Sequence, residues 1–323
     1  MRAQYEVHRG NVEDFEIFRH LPEITSEKGT QFVEVHLERH GFPLAVHTAI
    51  VPGRTREDKM QDAILLREDH GAIARLTLNN PRALNALSDE MLDALAAEFD
   101  RLAADEAIRV VVIAAHGKAF SAGHDLKEMQ AHRNEPDGGR GYYEGLFARC
   151  GAVMQKIPAL PQPVIAEVHA IAAAAGCQLV ASCDMAVAAE GARFGVNGVN
   201  LGLFCSTPAV ALTRALPRKV AFEMAATGEF LSAERAREVG LVNRVVPAEK
   251  LTEATMALAA VVAAKLPVAI RLGKAGFYDQ VQQPLAAAYD TAGAVMVDNM
   301  MDDGTDEGIR AFIEKRQPSW ARE

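Results

Sequence analysis

Two segments of the 323-residue chain share one design: residues 117–129 (GKAFSAGHDLKEM) and residues 169–179 (HAIAAAAGCQL). Each reads as the end of a buried strand, a tight turn of small residues and the opening of a helix. Ala122 and Gly123 in the first, and Ala174, Ala175 and Gly176 in the second, permit close backbone approach. The amides just after such a turn leave a helix start without intrahelical partners, where the helix dipole is positive. Two of these corners converging on one point would stabilise an oxyanion, and a single donor of that kind is worth about 2.7–4 kcal/mol. One residue does not suit acid–base chemistry at such a site. Gln178 stands where a carboxylate would be wanted, and an amide does not exchange a proton near neutral pH.

The elements that must position these turns are legible around them. Residues 63–79 alternate on either side of His70-Gly71, the pattern of a hairpin. Pro81 and Asn85 belong to a loop, Ser88 is a good N-cap, and Leu92, Leu95, Ala96, Phe99 and Leu102 recur at helical spacing. RVVVIAAHG predicts a buried strand ending at Gly117, QPVIAEVHA a second one leading into the alanine-rich helix, and CDMAVAAEGARFG a third. Strands alternating with helices predict an α/β layered fold. Beyond Glu249 the apolar stripes are helical without strands between them, a region suited to packing on another subunit. The chain therefore divides into an extension over 1–62, a core over 63–250 and a helical region over 251–323.

Composition excludes several classes. A hydrophobic content of 49% supports a large core, and a net charge of −9 argues against a general nucleic-acid binder. The alanine-rich apolar stretches are interrupted by polar residues, so no membrane span is expected. Cys150, Cys177, Cys183 and Cys205 lack CxxC spacing and read as reduced core thiols, not as a disulfide framework or a metal site. Five of the ten histidines (His8, His20, His36, His40, His47) lie in the extension, which also holds the strand-like QFVEVHLE and the turn VPGRTRED, and reads as a solvated appendage. Its mixture of acids and bases, without a continuous apolar core, is unlike a secretory signal or an ordinary transit peptide, so a cytoplasmic location is expected.

LNNPRALNAL, AFSAGHDLKEM, GCQLVASCD, ARFG, NLGL and FIEKRQP occur in the order found across the crotonase (enoyl-CoA hydratase/isomerase) superfamily, and the chain resembles that family over residues 63–323, most of all its enoyl-CoA hydratase domain-containing branch. The resemblance implies a spiral of ββα units with a helical C-terminal region that builds homotrimers or hexamers. It implies an acyl-CoA substrate, with coenzyme A carried by that substrate and no separate cofactor. By resemblance, the backbone amides of His124 and Ala175 hold the thioester oxygen. Arg82, Ala83 and Leu84 meet the CoA moiety, as do Ala122, Asp125, Leu126 and Lys127, while Phe312 and Lys315 belong to the helix that closes over its nucleotide end. The family's hydratases use two glutamates, and here their positions are Gln178 and Gly198.

General acid–base groups contribute about 10²- to 10⁴-fold each, so the departure bears directly on hydratase chemistry. Enolate stabilisation by two backbone amides survives it. That leaves an acyl-CoA enzyme of hydratase/isomerase type as the leading reading, a malonyl-type decarboxylase or a thioesterase as an alternative, and a non-catalytic acyl-CoA binding protein as a third. The candidate side chains to substitute for the acids are His124, Glu144 and Ser206. Their plain readings are a ring directed away from the site, a solvated helix face and a turn or cap residue. Cys205 has no base near it in sequence.

Overall fold

The computed structural model describes residues 63–322, together with the backbone of four strands before them: β1 (Glu16–Phe18), β2 (Ile24–Thr25), β3 (Gln31–Arg39) and β4 (Phe42–Val51). Contacts divide the chain into two units, Met1–Ala63 and Ile64–Glu323. In the first, β3 pairs antiparallel with β4, β1 and β2. The segment QFVEVHLE falls on β3, whereas the turn at 52–58 and the side chains of the five histidines lie outside the described residues.

The second unit opens with the hairpin β5 (Leu65–His70) and β6 (Ile73–Leu78), turned at Gly71, whose φ of 61° favours glycine. Helix α1 (Asp89–Ala103) follows, capped by Ser88, whose hydroxyl accepts from the Met91 amide, and Leu92, Leu95, Phe99 and Leu102 are buried along it. The chain then repeats one unit three times. β7 (Val110–Ala115) and β8 (Ala119–Ser121) lead to α2 (Leu126–Ala131), and α3 (Arg140–Ala159) returns the chain. β9 (Val164–Val168) and β10 (Ile171–Ala173) lead to α4 (Ala175–Ser182). β11 (Met185–Ala189) and β12 (Arg193–Gly195) lead to a 3-10 turn over Asn197–Leu201 and then α5 (Ser206–Ala215).

The first strand of each repeat enters a six-stranded sheet of order β14-β11-β9-β7-β6-β5, and the second enters a smaller sheet of order β13-β12-β10-β8. Here β13 is Leu231–Ser232 and β14 is Arg244–Val246, reached through α6 (Arg218–Thr227) and α7 (Ala233–Glu238). The repeat pairs are parallel in both sheets, so the chain advances as a spiral of ββα units. The sequence analysis reads β11 and β12 as a single strand, because a three-residue strand is too short to show a period of two.

Both faces of the large sheet are covered, which explains runs such as VVVIAA. Val111 and Ile113 face the main core with Leu95, Phe99 and Leu179, while Val110, Val112, Ile165 and Val187 face α8 (Leu251–Ala263) through Leu251, Leu258 and Ala259. Three further helices complete the unit: α9 (Pro267–Gln280), α10 (Leu285–Met300) and α11 (Asp303–Ile313). α9 is latched to the core by Lys274. Its ammonium donates to Ile157 O and Gln162 O, both at 2.8 Å, and to Asp184 Oδ2 at 2.7 Å. Asp184 also accepts from Tyr278 Oη at 2.7 Å and from the Val164 amide at 2.6 Å.

Candidate active site

β8 and β10 are parallel neighbours, with Ser121 paired to Ala172, so the two helix starts that follow them emerge side by side. The contact is tight. A Cβ on Gly123 (φ 91°) would lie 2.8 Å from Ala174 Cβ and 3.2 Å from the Ala175 nitrogen. A Cβ on Gly176 would lie 2.4 Å from Ser121 O and 2.7 Å from Ser121 Cβ. Ala174 has φ 47° and ψ −119°, a conformation that costs a residue with a Cβ about 1–3 kcal/mol. Its amide is fixed to Gly195 O at 2.8 Å, which tethers the turn to β12. Among the described residues, neither the His124 amide nor the Ala175 amide has a protein acceptor.

The loop before α1 is stitched onto the same corner. Ala122 N donates to Leu84 O at 3.0 Å and Leu87 N donates to Gly123 O at 2.7 Å. Buried Asn85 holds the loop's shape. Its Oδ1 accepts from Asn80 N at 2.8 Å, and its Nδ2 donates to His116 O at 2.7 Å and Ala119 O at 2.8 Å. Arg82 and Leu84 are left exposed beside half-buried Ala83 and Ala122. Asp125 caps α2, accepting from Lys127 N at 2.8 Å, and Leu126 and Lys127 face solvent. The structure thus gathers Arg82, Ala83, Leu84, Ala122, His124, Asp125, Leu126, Lys127 and Ala175 around one corner.

His124 contributes a side chain as well as an amide. Its Nδ1 lies 3.1 Å from Leu87 O, and because a carbonyl only accepts, Nδ1 carries the proton. The neutral ring then presents a bare lone pair at Nε2, which is buried without a partner. The ring packs edge-on to Phe147 of α3, with centroids 5.8 Å apart. Burial holds the His124 pKa below its ordinary 6.5, against the opposing pull of Leu87 O and the Asp89 charge. The unfolded chain therefore binds this proton more readily, and stability falls as pH drops below about 6.5, with the loss growing until the lower folded value is passed. His124→Phe is expected to flatten that part of the stability–pH curve, measured by urea denaturation between pH 7 and pH 5.

Gln178 is 4% exposed, its amide N donates to Ala174 O at 3.0 Å, and its Oε1 is buried with no partner. It also lies on a cavity of about 1040 Å³ between the C-terminal ends of α3 and α4, α5 and α9, which none of the other expected site residues lines. Gly198 is the second residue of the 3-10 turn, and a Cβ there would lie 2.4 Å from Leu203 O and 2.8 Å from Cys205 Sγ. The loop closes on this position, with Leu203 N donating to Gly198 O at 3.0 Å. Burial pushes the Cys205 thiol up and the Cys177 thiol up to about 12, so both stay protonated and are poor nucleophiles.

The enoyl-CoA hydratase/isomerase family profile matches residues 68–323. The chain belongs to the enoyl-CoA hydratase/isomerase family. It is 48% identical over 249 residues to the mitochondrial enoyl-CoA hydratase domain-containing protein 3 of Rattus norvegicus, covering 77% of this chain and 81% of that one. Among solved structures, an enoyl-CoA hydratase of Mycobacterium smegmatis superposes with a TM-score of 0.77 at 55% identity, covering 80% of this chain and 98% of that one. The human enoyl-CoA hydratase domain-containing protein 3 superposes with a TM-score of 0.76 at 45% identity, covering 80% and 100%. The mixed α/β architecture, with its spiral core and helical C-terminal region, is the crotonase fold of this family.

The cytoplasmic location expected from composition is overturned, since the rat protein and its vertebrate counterparts are named mitochondrial. The expectation rested on the mixture of acids and bases in residues 1–62, which does not by itself exclude an organelle address. Among the described residues no single helix is long and apolar enough to cross a membrane. Of the side chains considered as substitutes for the acids, Glu144 is exposed and paired with Arg140 at 3.0 Å, and Ser206 opens α5 with its hydroxyl 3.4 Å from Phe204 O. Phe312 is 85% exposed on α11, which packs on α10, and Lys315 just after that helix is exposed as well. Asn85 and Leu87, which organise the corner, were missed by the sequence reading as working residues. Asn85 bonds partners more than 30 positions away, and no local pattern signals that.

Proposed function

We propose that the chain is an acyl-CoA enzyme that holds a thioester carbonyl between the His124 and Ala175 amides and stabilises the derived enolate. The observation that carries this reading is the contact of the two small-residue corners, which leaves both amides without acceptors at one place. Arg82, Ala83, Leu84, Ala122, Asp125, Leu126 and Lys127 flank that place and would meet the CoA moiety. Neither Gln178 nor Gly198 moves a proton, so the reaction does not run through a carboxylate pair. Coenzyme A enters as part of the substrate and needs no separate cofactor.

The test is turnover of crotonyl-CoA beside calorimetric binding of butyryl-CoA. Binding with hydration at background supports enolate chemistry without the two acids. Rapid hydration would overturn that part of the reading, and absence of binding would overturn all of it. A malonyl-type decarboxylase would release CO₂ from malonyl-CoA, and a thioesterase would release free CoA. A non-catalytic acyl-CoA binding role is favoured by one specific observation, the lack of room for any side chain at Gly198.

That crowding makes a prediction of its own. Gly198→Glu is expected to destabilise the protein by about 2–3 kcal/mol through overpacking and to confer no hydration, whereas Gln178→Glu replaces a side chain of similar shape. Thermal unfolding of the two variants checks the contrast.

The C-terminal helices carry large exposed apolar side chains, among them Leu285 (77%), Tyr289 (73%), Met301 (78%) and Phe312 (85%). A surface of this kind calls for a partner, and a homotrimer or hexamer of this chain supplies one. Phe312 and Lys315 would then meet the nucleotide end of CoA through assembly. Sedimentation velocity is expected to give three or six times the chain mass, and Tyr289→Asp with Leu285→Asp to shift it to one.

A further inference from the structure

Helix α4 begins at Ala175, and its far end runs into a charged node. Only Cys183 and Asp184 join the last residue of α4, Ser182, to the first residue of β11, Met185. Cys183 is committed as the C-cap, its amide donating to Val180 O at 3.1 Å. So short a connection leaves little slack, and the end of α4 follows the position of Asp184. That residue is held by three donors from two other elements. Lys274 Nζ and Tyr278 Oη reach it from α9, each at 2.7 Å, and the amide of Val164, the first residue of β9, at 2.6 Å. The same ammonium donates to Ile157 O near the end of α3 and to Gln162 O just before β9, both at 2.8 Å. Hydrogen bonds to an ionised group are about twice as strong as neutral ones, so this carboxylate ties the end of α4 firmly to α3, β9 and α9.

At its start, α4 rests on β8 through Gly176, where a Cβ would lie 2.4 Å from Ser121 O, and the Ala174 amide ties the turn to Gly195 O of β12. Two points fix an axis. The eight residues of α4 span about 12 Å at 1.5 Å per residue, so a shift at the Asp184 end tilts the helix about the Gly176 contact and re-aims the Ala175 N–H. Hydrogen bonds weaken steeply as their angle closes, so a tilt of this kind loses an acceptor without opening the fold.

We propose that Asp184 is a positioning residue for the thioester oxygen, acting through α4 and held in place by Lys274 and Tyr278. The inference rests on the reading of the His124 and Ala175 amides given above, and names the part of the fold that aims one of them. Asp184 lies at the opposite end of α4 from the corner and acts only through the helix. The ion pair with Lys274 therefore serves the site as well as the packing of α9, and its contribution to ligand binding is separable from its contribution to stability.

The test is calorimetric titration of the full chain with butyryl-CoA and with S-butyl-CoA, a thioether that keeps the chain length and lacks the carbonyl oxygen. The unsubstituted chain is expected to bind butyryl-CoA about tenfold or more tighter than the thioether, because only the thioester pairs the two amides. Asp184→Asn keeps the shape of the side chain and removes its charge. It is expected to cut that ratio about threefold or more, while S-butyl-CoA binds within about twofold of its original affinity. Tyr278→Phe removes one donor, leaves the ion pair, and is expected to move the ratio in the same direction by less. An unchanged ratio, whether both ligands keep their affinity or lose it equally, overturns the proposal, since a purely structural node has no means of telling the two apart. If Asp184→Asn does not fold, Tyr278→Phe decides alone, a lowered ratio supporting the proposal and an unchanged one overturning it. A ratio near one in the unsubstituted chain falls on the underlying reading of the amides, which separates the two failures.

Discussion

Gly176→Ala is expected to abolish acyl-CoA binding and to destabilise the protein by about 3 kcal/mol, the upper part of the range for overpacking a closed core. The added methyl would sit 2.4 Å from Ser121 O, 2.7 Å from Ser121 Cβ and 2.8 Å from Ser121 Oγ. Ser121 is fully buried and is the last residue of β8, paired in the small sheet, so the obstacle includes backbone that cannot rotate aside. Relief requires α4 to move away from β8, and that movement carries the Ala175 amide away from the His124 amide. Urea denaturation and titration with butyryl-CoA read the two effects separately. Wild-type affinity in a destabilised variant would show that the spacing of the two corners is not what binds the ligand.

Lys274→Ala is expected to cost about 3–5 kcal/mol, the range for breaking a buried ion pair by removing one partner. The side chains of Lys274 and Asp184 are 6% and 13% exposed. Without the ammonium, Asp184 keeps the Tyr278 hydroxyl and the Val164 amide but loses its charge partner, and Ile157 O and Gln162 O lose a donor. Burial lowers the Lys274 pKa while Asp184 pulls it back up, so the ion pair offsets a desolvation cost and adds little net gain. Asp184→Asn in the Lys274→Ala background is therefore expected to recover part of the loss, because it removes the stranded charge. Equal stability of the single and double variants in a urea denaturation series would show that the charge is not the source of the cost.

The parts of the molecule that the sequence disclosed are those governed by short-range rules. Ser88 caps α1 because a hydroxyl can reach an amide three residues on, and the β5–β6 hairpin follows from alternation about a glycine with positive φ. The two corners were recognisable because only small residues permit such an approach. What the sequence did not disclose depends on distant partners. Lys274 is an ordinary helical lysine until α9 meets Ile157, Gln162 and Asp184, which lie 90 or more positions away. Gly198 reads as a missing acid, yet its surroundings show a position shaped against any side chain, with Leu203 and Cys205 packed where a Cβ would go. The His124 ring was expected to point away from the site, and what matters instead is that Leu87 O fixes its proton on one nitrogen and leaves the other bare.

The central claim concerns two main-chain donors and one oxygen, and a crystal structure of the protein with butyryl-CoA measures it directly. The account predicts the thioester oxygen about 2.7–3.2 Å from both the His124 and the Ala175 nitrogens, within ordinary hydrogen-bond range. A thioester oxygen bonded elsewhere, or to only one of these amides while the other faces solvent, would contradict it.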